Sequence, residues 1–128
     1  MQQEFSQSWK GSSHVRKQRK YRYNAPLHIK RKFLASHLSK ELRKKYGKRA
    51  VIVRKGDKVK VERGRFRKKV AKVIKVDIKR ELVYLEGVDL TKKDGTKIEL
   101  GLHPSNLTIT ELIMEDKERA ASVARGKK

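Results

Sequence analysis

The densest chemistry in this sequence is cationic. Arg63, Arg65, Arg67, Lys68 and Lys69 crowd around Gly64 and Phe66, with Arg54 and Lys55 a few residues upstream. Guanidinium forks and ammonium point charges at this density are suited to phosphate oxygens. Phe66, in their midst, either wedges against a sugar or base or folds back over an apolar core. A second basic run, Arg16, Lys17, Arg19, Lys20 and Arg22, continues past Pro26 as Lys30, Arg31 and Lys32, with Tyr21, Tyr23 and His28 interleaved. It holds too little apolar surface to form a core by itself. Cations that neutralise phosphates, set among planar side chains that offer stacking faces, describe a segment that orders on structured RNA. Trp9, alone in a polar stretch, either stacks on a base or is incidental.

Catalytic chemistry offers no comparable set. His14, His28, His37 and His103 show no metal-ligand spacing, and there is no HExxH, P-loop, GxSxG or GxGxxG. Asp57, Glu62 and Asp77 sit among cations, where balancing local charge is their expected role. His28 fits an RNA contact, and His103 fits the ordering of the His103-Pro104-Ser105 turn. Neither an enzymatic activity nor a metal, cofactor or small-molecule substrate is expected. The absence of cysteine excludes disulfides and cysteine zinc sites and fits a cytoplasmic protein.

The elements that must position these cations follow from periodicity. Val59 and Val61 alternate with Lys58, Lys60 and Glu62, the period-two pattern of a half-buried strand between Gly56 and Gly64. Val70, Val73, Ile74, Val76 and Ile78 form a second apolar run, so residues 54–76 read as strand, basic loop, strand. Further strands are predicted at 82–86, 97–100 and 106–110, with Asp94-Gly95 as a hairpin turn. Five short strands in this span predict a mainly β fold, a small SH3-like five-stranded barrel, at residues 51–112. Ahead of it, Leu38, Leu42 and Tyr46 fall on one face of a short helix with Ser39 as N-cap and Gly47 as stop, within a connection at 36–50. Residues 1–35 are expected to be a basic, largely extended N-terminal extension, with 1–13 disordered in isolation. Residues 113–128 lack an apolar stripe and are expected to be a polar tail.

Charge is distributed unevenly. The chain carries 36 Lys and Arg against 14 Asp and Glu, a formal net charge of +22. Residues 1–50 hold 15 basic and 2 acidic side chains, 51–80 hold 13 and 3, and 81–128 hold 8 and 9. Self-repulsion on this scale gains an isolated fold nothing, so a polyanionic partner is expected. The polar residues 1–10 lack the apolar stretch of a secretory leader, so none is expected. No apolar run approaches membrane-spanning length, and the basic tract lacks the apolar face of a membrane-surface helix, so no membrane partner is expected.

The run G-D-x-V-x-V-x-x-G at 56–64, a basic loop and a second valine strand resemble a KOW motif. With its flanks, RKQRK at 16–20, YNAPLHIKRK at 23–32, LSKELRKKYGKR at 38–49 and LGLHPSNLTIT at 100–110, the chain is similar to the archaeal and eukaryotic branch of the large-subunit ribosomal protein L-twenty-four family. Lys68 and Ala71 stand where that family usually has glycine. The resemblance implies a structural protein that binds large-subunit ribosomal RNA early in assembly and lies on the solvent side near the mouth of the peptide exit tunnel, with other large-subunit ribosomal proteins as neighbours. The residues expected to contact the RNA are Arg16, Lys17, Arg19, Lys20, Arg22, Tyr23, His28, Arg31, Lys32, Arg49, Arg54, Lys55, Arg63, Arg65, Phe66, Arg67, Lys68 and Lys69. Two other classes compete. A transcription-factor KOW module that docks on RNA polymerase would be expected to carry a neighbouring domain. A chromatin-type barrel that bends DNA from the minor groove would not need the tyrosine-bearing extension.

Overall fold

Alternating β-branched residues build the centre of the molecule. In the computed structural model, which describes residues 4–126, the five predicted stretches are strands: β3 (Lys58–Val61), β4 (Val70–Asp77), β5 (Leu82–Thr91), β6 (Lys97–Leu102) and β7 (Leu107–Glu111). Two more, β1 (Ala35–Leu38) and β2 (Ala50–Ile52), precede them. Across the sheet the order is β2-β1-β7-β3-β4-β5-β6. Every pairing is antiparallel except that of β1 with β7, where His37 lies opposite Thr108 and Leu38 opposite Ile109. The mainly β class therefore holds, but the sheet has seven strands rather than five. Among the described residues β2 and β6 do not pair to close it.

The inward faces of the strands, with Leu34 just before β1 and Val53 just after β2, meet in a core of Leu34, Leu38, Val53, Val59, Val61, Val73, Val83, Leu85, Val88, Leu107 and Ile109. In β5, Leu85 and Val88 are both buried although a regular strand would send them to opposite faces. Gly87 resolves this with φ +69°, in the left-handed region, where the register against β6 shifts between Tyr84 and Asp89. Without that bulge Val88 would turn outward. The Asp94-Gly95 turn forms as predicted: the Lys92 amide donates to the Thr96 carbonyl at 2.9 Å, and the Asp94 carboxylate accepts from the Thr96 amide at 2.9 Å.

Between β1 and β2, α3 (Lys40–Tyr46) is the expected short helix. Ser39 caps it by accepting from the Leu42 amide at 3.4 Å, and Gly47 ends it at φ 63° with its amide donating to the Arg43 carbonyl at 2.8 Å. Leu42 packs on the core, whereas Leu38, expected on the same helical stripe, is the last residue of β1. Arg43 turns back toward the sheet and donates from Nε to the Leu38 carbonyl at 2.8 Å.

Both ends of the chain depart from the sequence expectation. Residues 7–34 are largely helical where an extended course is expected: a 3-10 turn at Gln7–Gly11, α1 (Val15–Asn24), α2 (Leu27–Lys30) and a 3-10 turn at Arg31–Leu34. The reason is an aromatic cluster. Tyr21 of α1 stacks on Phe5 at 5.4 Å and meets Phe33 edge-on at 6.0 Å, while Trp9 packs edge-on against Phe5 at 6.4 Å. These contacts give α1, rich in the good helix formers Arg, Lys and Gln, a surface to rest on. At the other end, the expected tail holds α4 (Lys117–Ala124), docked through buried Arg119 and Val123. Residues 1–3 and 127–128, covered by the expectations of disorder and a tail, lie outside the described residues.

Candidate nucleic-acid interface

The β3–β4 loop is built from both strands inward. The Val61 amide donates to the Lys69 carbonyl at 2.9 Å and the Lys68 amide to the Val61 carbonyl at 2.8 Å, so the last ladder bonds close the loop at its base. Inside it, the Arg67 amide reaches the Gly64 carbonyl at 3.2 Å and the Lys69 amide the Phe66 carbonyl at 3.0 Å. Lys68 adopts φ 72°, a left-handed conformation natural to glycine and strained for lysine. The backbone bend that glycine would supply is thus kept, with a cation standing on it. Phe66 takes the second of its two expected courses: it is half-buried and packs against the core. Lys69 lies 5.6 Å from the centre of its ring and donates to the Gly87 carbonyl. That leaves Arg63, Arg65, Arg67 and Lys68 exposed on a loop braced from beneath, with no carboxylate partner among the described residues.

On α1 the buried side is set by Tyr21, so Arg16, Arg19 and Tyr23, spaced three and four apart, share the opposite face. All three are exposed, as is Lys17. Lys20 is partly engaged, 5.1 Å from the Trp9 ring and 3.7 Å from Glu4. Arg22 is engaged more firmly: it lies over Phe33 at 5.0 Å and pairs with Glu81 on the β4–β5 turn, fastening α1 to the sheet. Buried Ile29 and Leu34 anchor the next segment and leave His28, Arg31 and Lys32 exposed. Arg49 and Lys55 are also exposed. Trp9 is neither free nor incidental, being half-buried in the aromatic cluster.

Arg54 has a different occupation. It pairs with Asp116, the N-cap of α4, whose carboxylate also accepts from the Glu118 amide at 2.9 Å. The Arg54 hydrogen bond first, and the Glu118 amide second, hold the Asp116 carboxyl below the usual carboxylate range. Beside it lies a buried clamp that sequence reasoning missed. Asp57, fully buried, receives both Nη1 and Nη2 of Arg119, at 2.7 and 2.6 Å, and accepts from the Arg54 and Ile113 amides at 3.0 and 3.1 Å. Arg119 also donates to the Ile113 and Ile52 carbonyls at 2.9 and 3.2 Å. Asp57 balances charge as expected, but for one particular guanidinium. The only sequence signal for the partner is the spacing of Arg119 and Val123, one helical turn apart.

His103 orders its turn as expected: Nδ1 accepts from the Ser105 amide at 3.2 Å and lies 2.7 Å from the Ser105 hydroxyl. Among the described residues no group of three or more His, Asp or Glu could hold a metal ion, and no helix is long and apolar enough to cross a membrane.

A mainly β fold with a braced cationic loop and cation-rich helices defines a small, strongly basic protein with an exposed cationic surface. Comparison with known proteins then supplies the family. The family that comprises the eukaryotic L26 and the archaeal L24 ribosomal proteins matches residues 12–126, and the chain belongs to it. It is a family of structural proteins, not enzymes. Among similar proteins, the large ribosomal subunit protein uL24 of Methanocella arvoryzae is 47% identical over 114 residues, covering 89% of this chain and 92% of its own. The uL24 proteins of Methanothrix thermoacetophila and Methanosarcina barkeri are 46% and 44% identical, each over 89% of this chain and 98% of theirs.

Proposed function

We propose that the chain is a structural constituent of the large ribosomal subunit, in the cytoplasm, that binds large-subunit ribosomal RNA, supports early subunit assembly and lies near the mouth of the peptide exit tunnel beside other ribosomal proteins. The observation that carries this is the set of exposed cations with no ion pair among the described residues, Arg16, Lys17 and Arg19 on α1, Arg31 and Lys32, and Arg63, Arg65, Arg67 and Lys68 on the β3–β4 loop, in a member of a ribosomal protein family. Strands β3 to β7, consecutive across the sheet, correspond to the SH3-like KOW platform, with residues 1–35 as a strap and 36–50 as the connection. The loop cations Arg63, Arg65, Arg67 and Lys68 contact phosphates; Arg16, Lys17, Arg19, Arg31, Lys32, Arg49 and Lys55 extend the contact, and His28 and Tyr23 add planar faces. Lys20, Arg22, Arg54, Phe66 and Lys69 serve first as internal braces and contact RNA with whatever surface they retain.

Competition binding tests this. The full chain is presented with large-subunit ribosomal RNA fragments, length-matched unrelated RNA and duplex DNA at moderate salt. Preference for one ribosomal fragment is expected. Preference for duplex DNA would return the chromatin-type reading.

A further inference from the structure

One surface feature is out of keeping with a basic, phosphate-seeking face. Tyr23 is 74% exposed and Leu27 is 52% exposed, and between them lies a hollow of about 410 Å³ lined by Tyr23, Ala25, Leu27, Lys30 and Lys79. We propose that this hollow takes one unpaired base of the bound RNA, stacked on the Tyr23 ring and against Leu27, with the flanking phosphates held by Lys30 and Lys79. The proposal rests on the RNA-binding function above and adds a residue, Lys79, outside the cations singled out from sequence.

The backbone that carries the walls is held in place by the fold itself. Tyr23 sits in the last turn of α1, which Arg22 fastens to Glu81. Lys79 rides on that same β4–β5 turn, shaped by the Arg80 amide donating to Asp77 at 3.1 Å and by Glu81 at φ 58°. Pro26 starts α2, its carbonyl accepting from the Ile29 and Lys30 amides at 3.0 Å each, while buried Ile29 pins the helix. Leu27 and Lys30, three residues apart, then fall on one side of α2. A preformed hollow lowers the ordering cost of binding.

The lining chooses the occupant. A phosphate alone could take a hydrogen bond from the Tyr23 hydroxyl but would gain nothing from its ring face or from the Leu27 isobutyl group. An acidic or neutral peptide would not need an aromatic face flanked only by cations. A nucleotide uses every wall: a π-face and apolar edge for the base, and two ammonium groups for phosphates. Neither lysine makes an ion pair among the described residues, so both are available. The volume lies within the range of roughly 300 to 1,000 Å³ typical of small-ligand sites.

The test compares a short single-stranded oligoribonucleotide with an abasic oligomer of equal length and charge, using the full chain. The wild-type protein is expected to favour the base-bearing oligomer by about fivefold to a hundredfold. Tyr23→Ala should erase that preference while Tyr23→Phe keeps it, and Lys79→Ala should weaken both oligomers alike. Equal binding of the two oligomers by the wild-type protein, or an undiminished preference in Tyr23→Ala, would overturn the stacking site. Loss of preference for ribosomal over unrelated RNA would instead defeat the wider function and leave the oligomer comparison to decide this one.

Discussion

Two residues carry consequences out of proportion to their visibility. Lys68 holds a left-handed backbone at φ 72°, which costs an L-residue about 1–2 kcal/mol, whereas glycine would adopt it freely at an entropic cost of about 0.5–1 kcal/mol. Lys68→Gly is therefore expected to stabilise the fold by about 0.5–1 kcal/mol in chemical denaturation while weakening RNA binding by one phosphate contact. A destabilised Lys68→Gly protein would show that the loop does not bend as described. Arg119 is the second. Its guanidinium satisfies both oxygens of buried Asp57, and removing one partner of such a pair leaves an uncompensated buried charge. Arg119→Ala should cost about 3–5 kcal/mol, and Arg119→Lys should recover only part of this, since an ammonium cannot bind two oxygens as a fork. An unchanged denaturation midpoint would mean that α4 is not docked.

At the scale of elements, α4 is held by a charged cap as well as by the clamp. The folded Asp116 carboxyl is shifted below its ordinary value of 3.8 by Arg54 and the Glu118 amide, so its ionised form favours the docked helix. That contribution is fully present above the unfolded value and is lost as pH falls through the lower folded value. Amide protection of 117–124 should accordingly fall with acidification below about pH 3.8, and Asp116→Asn should remove that acid-side step; an identical profile in the variant would exclude the cap. Why α4 was illegible in the sequence follows from the same residues. Its buried face is one arginine and one valine, so apolar periodicity has nothing to register, and the counter-charge lies 62 residues away. α1 was hidden for a related reason, because Tyr21 finds its support in Phe5 and Phe33 on either side of the charged run. The strands β3 to β7 were legible because valine alternation and the Asp94-Gly95 turn are local signals. β1 was not, since Ser36 and His37 interrupt its apolar pattern and Leu38 fits a helical stripe equally well. Of the interface, the loop cations were legible as charges, but the internal engagement of Arg22, Arg54 and Lys69 depends on partners distant in sequence.

For the whole molecule, the division of charge becomes a division of labour. The acidic side chains concentrated in 81–128 supply Glu81, Glu111 and Asp116, which pair with Arg22, Lys58 and Arg54 within the chain. The cations without an ion pair among the described residues include Arg16, Lys17 and Arg19 of α1, Arg31 and Lys32, and Arg63, Arg65, Arg67 and Lys68 of the β3–β4 loop, the surfaces proposed to meet ribosomal RNA. Affinity measured across a salt series tests that claim most directly, because each phosphate contact adds about 0.7–0.9 to the slope of log K against log salt. Wild-type protein is compared with Arg16→Ala/Lys17→Ala/Arg19→Ala and with Arg63→Ala/Arg65→Ala/Arg67→Ala on a large-subunit ribosomal RNA fragment. Each triple variant is expected to lower the slope by about 2 to 3, from three lost contacts. Unchanged slopes in both would contradict the proposal that these two surfaces hold the RNA.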